Sequence, residues 1–126
     1  MNVCLLGSGS SGNAIYVEHR GTGILVDQGF SFKRLDERMT ASGLDVGRIQ
    51  AVLVSHEHND HMNGAGVTAR KLKIPVYATD GTFKGRPGCF NGSETLKTVT
   101  SGDRFEIGPF GIDPYSIPHD ASEPVQ

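Results

Sequence analysis

The chain has 126 residues, of which 37% are hydrophobic and 21% are charged, so it is long enough for one globular domain with its own core. Its net charge of −2 argues against a strongly basic nucleic-acid-binding surface, although a local basic patch is compatible with it. Two cysteines without a Cys-x-x-Cys pair (Cys4 and Cys89), no signal-peptide pattern and no stretch of membrane-spanning length together predict a cytoplasmic protein without membrane contact.

The first three predicted strands flank a loop rich in glycine and serine. Residues 3–6 form an apolar strand, and the following Gly7-Ser8-Gly9-Ser10-Ser11-Gly12-Asn13 spells the pattern G-x-G-x-x-G. In a dinucleotide-binding site a helix would begin there. Residues 14–18 are instead β-branched and aromatic, so we expect a second strand and disfavour a nucleotide cofactor. Residues 24–27 form a third predicted strand, which ends in the carboxylate of Asp27.

A first helix is predicted from an N-cap at Ser31 to about residue 42, with Gly43 as its stop. Its apolar positions are spaced for one helical face and consist of Phe32, Leu35 and Met39. We expect this face to belong to the core rather than to a binding groove.

A second helix is predicted over residues 65–73, ended by Pro75, with Val67 and Leu72 as core candidates. Its last turn is basic, and we favour compensation of the helix dipole over a phosphate-binding patch for Arg70, Lys71 and Lys73. The helix would connect a strand at 51–54 to a parallel strand at 76–79 through a right-handed crossover.

The remainder of the chain has weaker signals. Residues 80–93 are rich in Gly, Pro and Asn and predict a loop with at most a short helix. Short strands are then predicted at 95–100, 105–107 and 110–117. There are no internal repeats and no linker, so we expect residues 1–126 to form a single domain.

The strongest functional signal is Ser-His-Glu-His-Asn-Asp-His at residues 55–61, directly after the predicted strand at 51–54. Imidazole and carboxylate groups are ligands for Zn²⁺, Mn²⁺ or Fe. We predict that His56 and His58 bind one ion, with His119 from the end of a later strand as third ligand, and that Asp60 and His61 bind a second. For His119 a surface position at a strand end is the alternative, and His19, near a turn, is expected to be solvated.

One or two divalent ions held in this way would make water a nucleophile at neutral pH and would offset charge on a carbonyl or phosphoryl oxygen. The predicted reaction class is therefore hydrolysis, with Asp60 counted as a catalytic residue as well as a ligand.

The histidine motif resembles the H-x-H-x-D-H signature of the metallo-β-lactamase fold, an αββα sandwich of the α/β class. The resemblance extends to residues 7–14 and to His119-Asp120-Ala121-Ser122-Glu123-Pro124, which are similar to the WalJ/YycJ branch of cytoplasmic DNA exonucleases related to tRNase Z and RNase J. It implies His56, His58 and His119 at the first metal and Asp60 with His61 at the second. It also implies Asp27 as a brace behind the ligands and a nucleic acid as substrate. It does not assign Asp120 a role.

The chain departs from this family in its second half. Members supply a bridging aspartate and a final histidine there, and the sequence stops at Gln126 before either. We therefore expect an N-terminal portion of the sandwich, comprising the first sheet, two helices and the start of the second sheet. Uncovered apolar faces would favour self-association. The alternatives to a nuclease are a thioester or other small-molecule hydrolase of the same fold, and a catalytically incomplete metal-binding fragment.

Overall fold

A computed structural model of the chain describes residues 1–56 and 58–115. The strands in this part of the chain are β1 Asn2–Gly7, β2 Ala14–His19, β3 Thr22–Val26, β4 Ile49–Leu53, β5 Val76–Ala78, β6 Leu96–Thr98, β7 Phe105–Ile107 and β8 Phe110–Ile112. The α-helices are α1 Phe32–Ala41, α2 Asn59–Met62, α3 Ala65–Leu72 and α4 Asp80–Gly85, and short 3₁₀ turns occupy Val46–Arg48 and Pro87–Cys89. None of these helices is long and apolar enough to cross a bilayer.

The main sheet contains β1 to β6 in the order of the chain. β1, β2 and β3 are antiparallel neighbours, whereas β3 to β6 run parallel to one another. β2 and β3 are joined at Arg20 and Gly21, which both have positive φ (52° and 78°), as a tight hairpin turn between right-twisted strands requires. The predicted parallel pairing of β4 with β5 through a helix is confirmed.

Each face of the sheet has its own covering. Leu25 and Val52 belong to the larger core, to which α1 contributes Leu35 and Met39 and α3 contributes Ala69. The neighbouring strand residues, which point to the opposite face, pack against the β7–β8 hairpin through Ile24, Ala51, Ile107 and Phe110. The alternation of side chains along β3 and β4 therefore builds a helix layer on one face and a small β layer on the other.

The first helix follows the prediction closely. Ser31 is the N-cap, and its hydroxyl accepts a hydrogen bond from the backbone N–H of Arg34. Gly43 follows the helix with a φ of 74° and so provides the left-handed residue at which it ends. Leu35 and Met39 are fully buried, as expected.

One prediction for the second helix is wrong. Val67 is exposed, and the helix turns Thr68 and Ala69 toward the core instead. The polar side chain of Thr68 is tolerated in the core because its hydroxyl accepts a hydrogen bond from the Gln28 side chain. Arg70 and Lys71 lie in the last turn of the helix, where a positive charge can compensate the helix dipole, and the Arg70 guanidinium also pairs with the carboxylate of Glu94 in the loop before β6.

The region after β5 contains the short helix that the sequence allowed, α4, followed by loops. The strand predicted at 95–100 is confined to β6, and the strand predicted from residue 110 ends at Ile112. Residues 116 and 117, its expected last positions, lie outside the described residues.

Candidate metal centre

The histidine-rich segment follows the carboxyl end of β4, beside the carboxyl end of β3. These two strands are parallel and pair along residues 24–26 and 51–53, so the residues that follow them meet at one edge of the sheet. Asp27 comes directly after β3, and residues 55–61 come after β4. The topology thus brings together side chains that are about thirty positions apart in the sequence.

The short helix α2 directs the last residues of the motif. His58 is its N-cap, and its carbonyl accepts hydrogen bonds from the backbone of His61 at 3.0 Å and Met62 at 3.1 Å. This turn folds His61 back toward the start of the motif. The ring centroid of His56 consequently lies 4.6 Å from that of His58 and 4.0 Å from that of His61. Because a Zn²⁺ ion lies about 2 Å from a ligating nitrogen, rings this close can share an ion or serve two adjacent ions.

Asp27 anchors the segment from behind. Its carboxylate accepts the backbone N–H of Ser55 at 2.7 Å and the Ser55 hydroxyl at 2.9 Å, and it bonds Nδ1 of His61 at 2.7 Å. Its own N–H donates to the carbonyl of Leu53 at 2.6 Å. Asp27 is buried and has a φ of 64°, a left-handed conformation that costs energy for a residue with a Cβ. The contacts made by its carboxylate hold it in this strained position.

Ser55 connects the Asp27 carboxylate to His56. Its hydroxyl lies 2.8 Å from Nδ1 of His56 while it also bonds the Asp27 carboxylate. Contacts at Nδ1 fix the plane of an imidazole and direct Nε2 to the opposite side, the arrangement typical of histidines that bind metals. His56 and His61 are therefore oriented by one shared carboxylate, directly for His61 and through Ser55 for His56.

Asp60, in the first turn of α2, is held by the glycine-serine loop. The side-chain amide of Asn13 donates to the Oδ2 atom of Asp60 at 3.0 Å and to its backbone oxygen at 3.0 Å. The backbone N–H of Asn13 donates to the same backbone oxygen at 2.6 Å. Oδ2 of Asp60 lies 3.6 Å from Nε2 of His61, so the acid and the imidazole predicted to share an ion are neighbours.

A cavity of about 720 Å³ opens beside this cluster. Its polar end is formed by His56, His58 and His61, with Asp27 and Ser55 behind them. The rest of its wall is mainly apolar and includes Val26, Leu53, Tyr77, Phe105 and Ile112. The cluster therefore faces a space large enough for a small organic molecule or a nucleotide.

Five of the predicted site residues come together in this cluster: Asp27, His56, His58, Asp60 and His61. His119 and Asp120 lie outside the described residues, as does Glu57. Across residues 1–56 and 58–115, no three His, Cys, Asp or Glu side chains form a complete metal-binding group. The donor types nevertheless fit a divalent transition metal, since three imidazoles and one carboxylate lie next to one another and two of the imidazoles are oriented through Nδ1.

Two contributors were missed by the sequence analysis. Ser55 adjoins the motif and could have been recognised as a residue beside a ligand. Asn13 could not, because its partner Asp60 is 47 positions away and no local pattern joins them.

The Asp27–His61 contact makes the stability of the protein depend on pH. The hydrogen bond from His61 to the Asp27 carboxylate raises the pKa of the imidazole above its ordinary value of 6.5, and burial opposes this effect more weakly. The contact between protonated His61 and Asp27 therefore stabilises the folded protein fully below about pH 6.5. This contribution is lost as the pH rises through the raised pKa of His61. We expect Asp27→Asn, in metal-free protein, to lower the pKa of His61 toward the ordinary value and to remove this part of the pH dependence of stability.

The measurement is an NMR titration of the histidine ring signals in the presence of a chelator, together with thermal melts over the same pH range. The unsubstituted protein, titrated under the same conditions, is the reference. An unchanged His61 titration in the Asp27→Asn protein would contradict the assigned cause.

A family model described as the metallo-beta-lactamase superfamily matches residues 7–122 of the chain. Exodeoxyribonuclease YycJ of Bacillus anthracis is 35% identical over 127 residues, which cover 99% of this chain and 48% of that protein. Exodeoxyribonuclease WalJ of Streptococcus pneumoniae is 35% identical over 128 residues, which cover 95% of this chain and 46% of that protein. The chain thus spans about half the length of these curated relatives.

Solved structures agree on the fold. The Rm3 metallo-beta-lactamase superposes with a TM-score of 0.82 over 98% of this chain and 52% of that one, at 18% sequence identity. At this level of identity the similarity establishes the fold alone.

Proposed function

Since the chain belongs to the metallo-β-lactamase superfamily, we propose that it carries the metal-binding residues of a metal-dependent hydrolase that cleaves phosphodiester bonds in DNA. The observation that carries the proposal is the convergence of three imidazoles and the Asp60 carboxylate at the end of β4, braced by Asp27. The exodeoxyribonucleases at 35% identity support DNA as the substrate class, with RNA as the related alternative. A cytoplasmic setting is part of the same proposal.

His56 and His58, together with His119, would hold a first ion, and Asp60 with His61 would hold a second. Zn²⁺ and Mn²⁺ are the preferred candidates, and Fe suits the same donors. Such ions would supply an activated water molecule at neutral pH and would offset the negative charge that develops on the phosphoryl oxygens.

Asp27 and Ser55 orient the imidazoles of this site before a metal ion binds. Asp27 fixes His61 directly and His56 through Ser55, so the imidazoles do not have to be ordered when an ion binds. The apolar wall of the cavity, including Tyr77 and Phe105, limits the access of bulk water from one side. Exclusion of water strengthens the interaction between the ions and an anionic substrate.

One observation favours a second candidate. The wall of the cavity is mainly apolar, which suits the body of a small organic ester or thioester better than a polyanionic strand. Hydrolysis of such a small molecule through the same residues is therefore the alternative substrate class.

The deciding experiment compares substrates on metal-loaded protein. The protein is stripped with a chelator, reloaded separately with Zn²⁺ or Mn²⁺, and incubated with end-labelled linear DNA, linear RNA and a thioester. We expect metal-dependent shortening of DNA that a chelator stops. Turnover of the thioester alone would support the small-molecule alternative, and bound metal without any turnover would support a non-catalytic metal-binding role.

A further inference from the structure

The glycine-serine loop at residues 7–13 resembles a dinucleotide-binding motif in sequence. Its hydrogen bonds, however, are made to other groups of the protein. The amide nitrogen of Asn13 donates to the carbonyl of Gly9 at 2.8 Å, and the amide oxygen of Asn13 accepts the backbone N–H of Gly9 at 3.1 Å. The loop is thereby closed around the Asn13 side chain. A Cβ at Gly12, where φ is 152°, would collide with the ring of Phe30, so the loop also requires glycine for its packing.

The orientation of the Asn13 amide follows from its partners. The Gly9 N–H can only donate, so the amide oxygen must face it. The other neighbours are acceptors only, namely the carbonyls of Gly9 and Asp60 and the carboxylate of Asp60. The amide nitrogen must therefore face Asp60, and the loop presents a neutral donor to that carboxylate.

We propose that Asn13 is a positioning residue for Asp60: by binding Oδ2 and the backbone oxygen of Asp60, it holds the carboxylate beside Nε2 of His61, where the two side chains would bind the second metal ion. This inference rests on the proposed function, since it assumes that Asp60 is a ligand. Oδ2 of Asp60 lies 3.6 Å from Nε2 of His61, the nitrogen that stays available to a metal while Nδ1 bonds Asp27. The function of the glycine-serine loop is then to place Asn13 rather than to bind a nucleotide.

A second contact connects Asn13 to the segment that follows β3. Its carbonyl accepts the backbone N–H of Gly29 at 3.1 Å, while its own N–H donates to Asp60. Asn13 therefore joins the segment after β3 to the start of α2. A shorter side chain such as serine would not span this gap, and aspartate would turn a carboxylate oxygen toward the Asp60 carboxylate where a donor now stands.

The test compares Asn13→Ala, Asn13→Asp and the control Ser10→Ala, which changes an exposed residue of the same loop. Mn²⁺ and Zn²⁺ binding are measured by calorimetry, with the number of ions and the affinity of each determined separately. We expect both Asn13 variants to bind the second ion about 10- to 100-fold more weakly, the range found when a residue behind a metal ligand is removed. The affinity for the first ion and all values for Ser10→Ala should stay unchanged.

The Asn13→Asp variant separates orientation from charge. It matches asparagine in size and keeps an oxygen for the Gly9 N–H, but it loses the donor to the Gly9 carbonyl and to Asp60 and adds a negative charge that by itself attracts cations. Weaker binding of the second ion by this variant supports the inference, and unchanged or tighter binding overturns it. An equal loss for both ions, accompanied by a lower melting temperature of the metal-free protein, would mean that Asn13 is only structural and would also overturn it.

The two proposals fail in different ways. If the unsubstituted protein binds no divalent metal, the proposed function fails and this inference fails with it. If it binds a single ion, the second site that Asn13 would serve does not form in this chain, and the inference alone is overturned. If the unsubstituted protein binds two ions and the Asn13 variants bind both equally well, the inference alone is overturned.

Discussion

Replacing His58 with alanine is expected to abolish tight metal binding and, with it, hydrolysis. His58 is the N-cap of α2, and its ring lies 4.6 Å from that of His56. Its side chain makes no capping hydrogen bond, so the substitution removes a candidate ligand without removing a side-chain cap of α2. Loss of a residue behind a ligand weakens metal binding about 10- to 100-fold, and we expect loss of the ligand itself to exceed about 100-fold.

Metal content after dialysis against a fixed concentration of free Zn²⁺ measures this effect, and release of nitrophenol from bis-p-nitrophenyl phosphate measures hydrolysis. His19→Ala is the matched control, because His19 lies on β2 and its ring contacts Phe110 rather than the cluster. A His58→Ala protein that retained the metal content of the His19→Ala protein would remove His58 from the ligand set.

The Gly29→Ala substitution is expected to destabilise both the fold and the candidate metal centre, although it adds only one methyl group. A Cβ at Gly29 would overlap the backbone carbonyl of Asp60, which cannot move without displacing α2. The two segments are also tied by a hydrogen bond of 2.8 Å from the Gln28 N–H to the carbonyl of His61. Overpacking of this kind costs about 1–3 kcal/mol, which corresponds to about 4 °C in melting temperature per kcal/mol for a domain of this size.

The strain should also separate Asp60 and His61 from the other imidazoles, so the variant should bind metal more weakly even at temperatures where it is folded. Gly88→Ala is the control, since a Cβ there meets no atom within 4 Å and the backbone does not have a positive φ. If Gly29→Ala matched Gly88→Ala in melting temperature and metal affinity, the close approach of these two segments would not matter for the site.

Local patterns were sufficient for most of the secondary structure. Ser31 and Gly43 bracket α1 because capping depends on residues within one turn of each other. The apolar runs of the first strands were also sufficient to predict those strands, because the pattern that indicates a strand lies within the strand's own residues. The exceptions lie where tertiary packing decided the outcome.

Val67 is such an exception. By hydrophobicity it was one of two core candidates of its helix, with Leu72, but it is exposed while Thr68 is fully buried. The hydroxyl of Thr68 accepts a hydrogen bond from the Gln28 side chain at 3.0 Å, so a polar residue is satisfied inside the core. Only the three-dimensional arrangement identifies that partner, which is 40 positions away.

For the candidate site too, some residues could be predicted from the sequence and others only from the fold. His56, His58, Asp60 and His61 were found from the sequence because they are spaced within six residues and their donor types are distinctive. The contacts that orient them come from elsewhere in the chain, such as Asn13 for Asp60. Amide and hydroxyl groups are too common in sequences to be assigned such a role until the fold brings them into contact.

The order of the strands in the main sheet has a consequence for biosynthesis. Because β1 to β6 lie side by side in the order of the chain, each strand can pair with one that the ribosome has already made. The members of the cluster within the described residues all lie between Asn13 and His61. The nascent polypeptide can therefore bring these side chains together early, before the later strands have emerged from the exit tunnel.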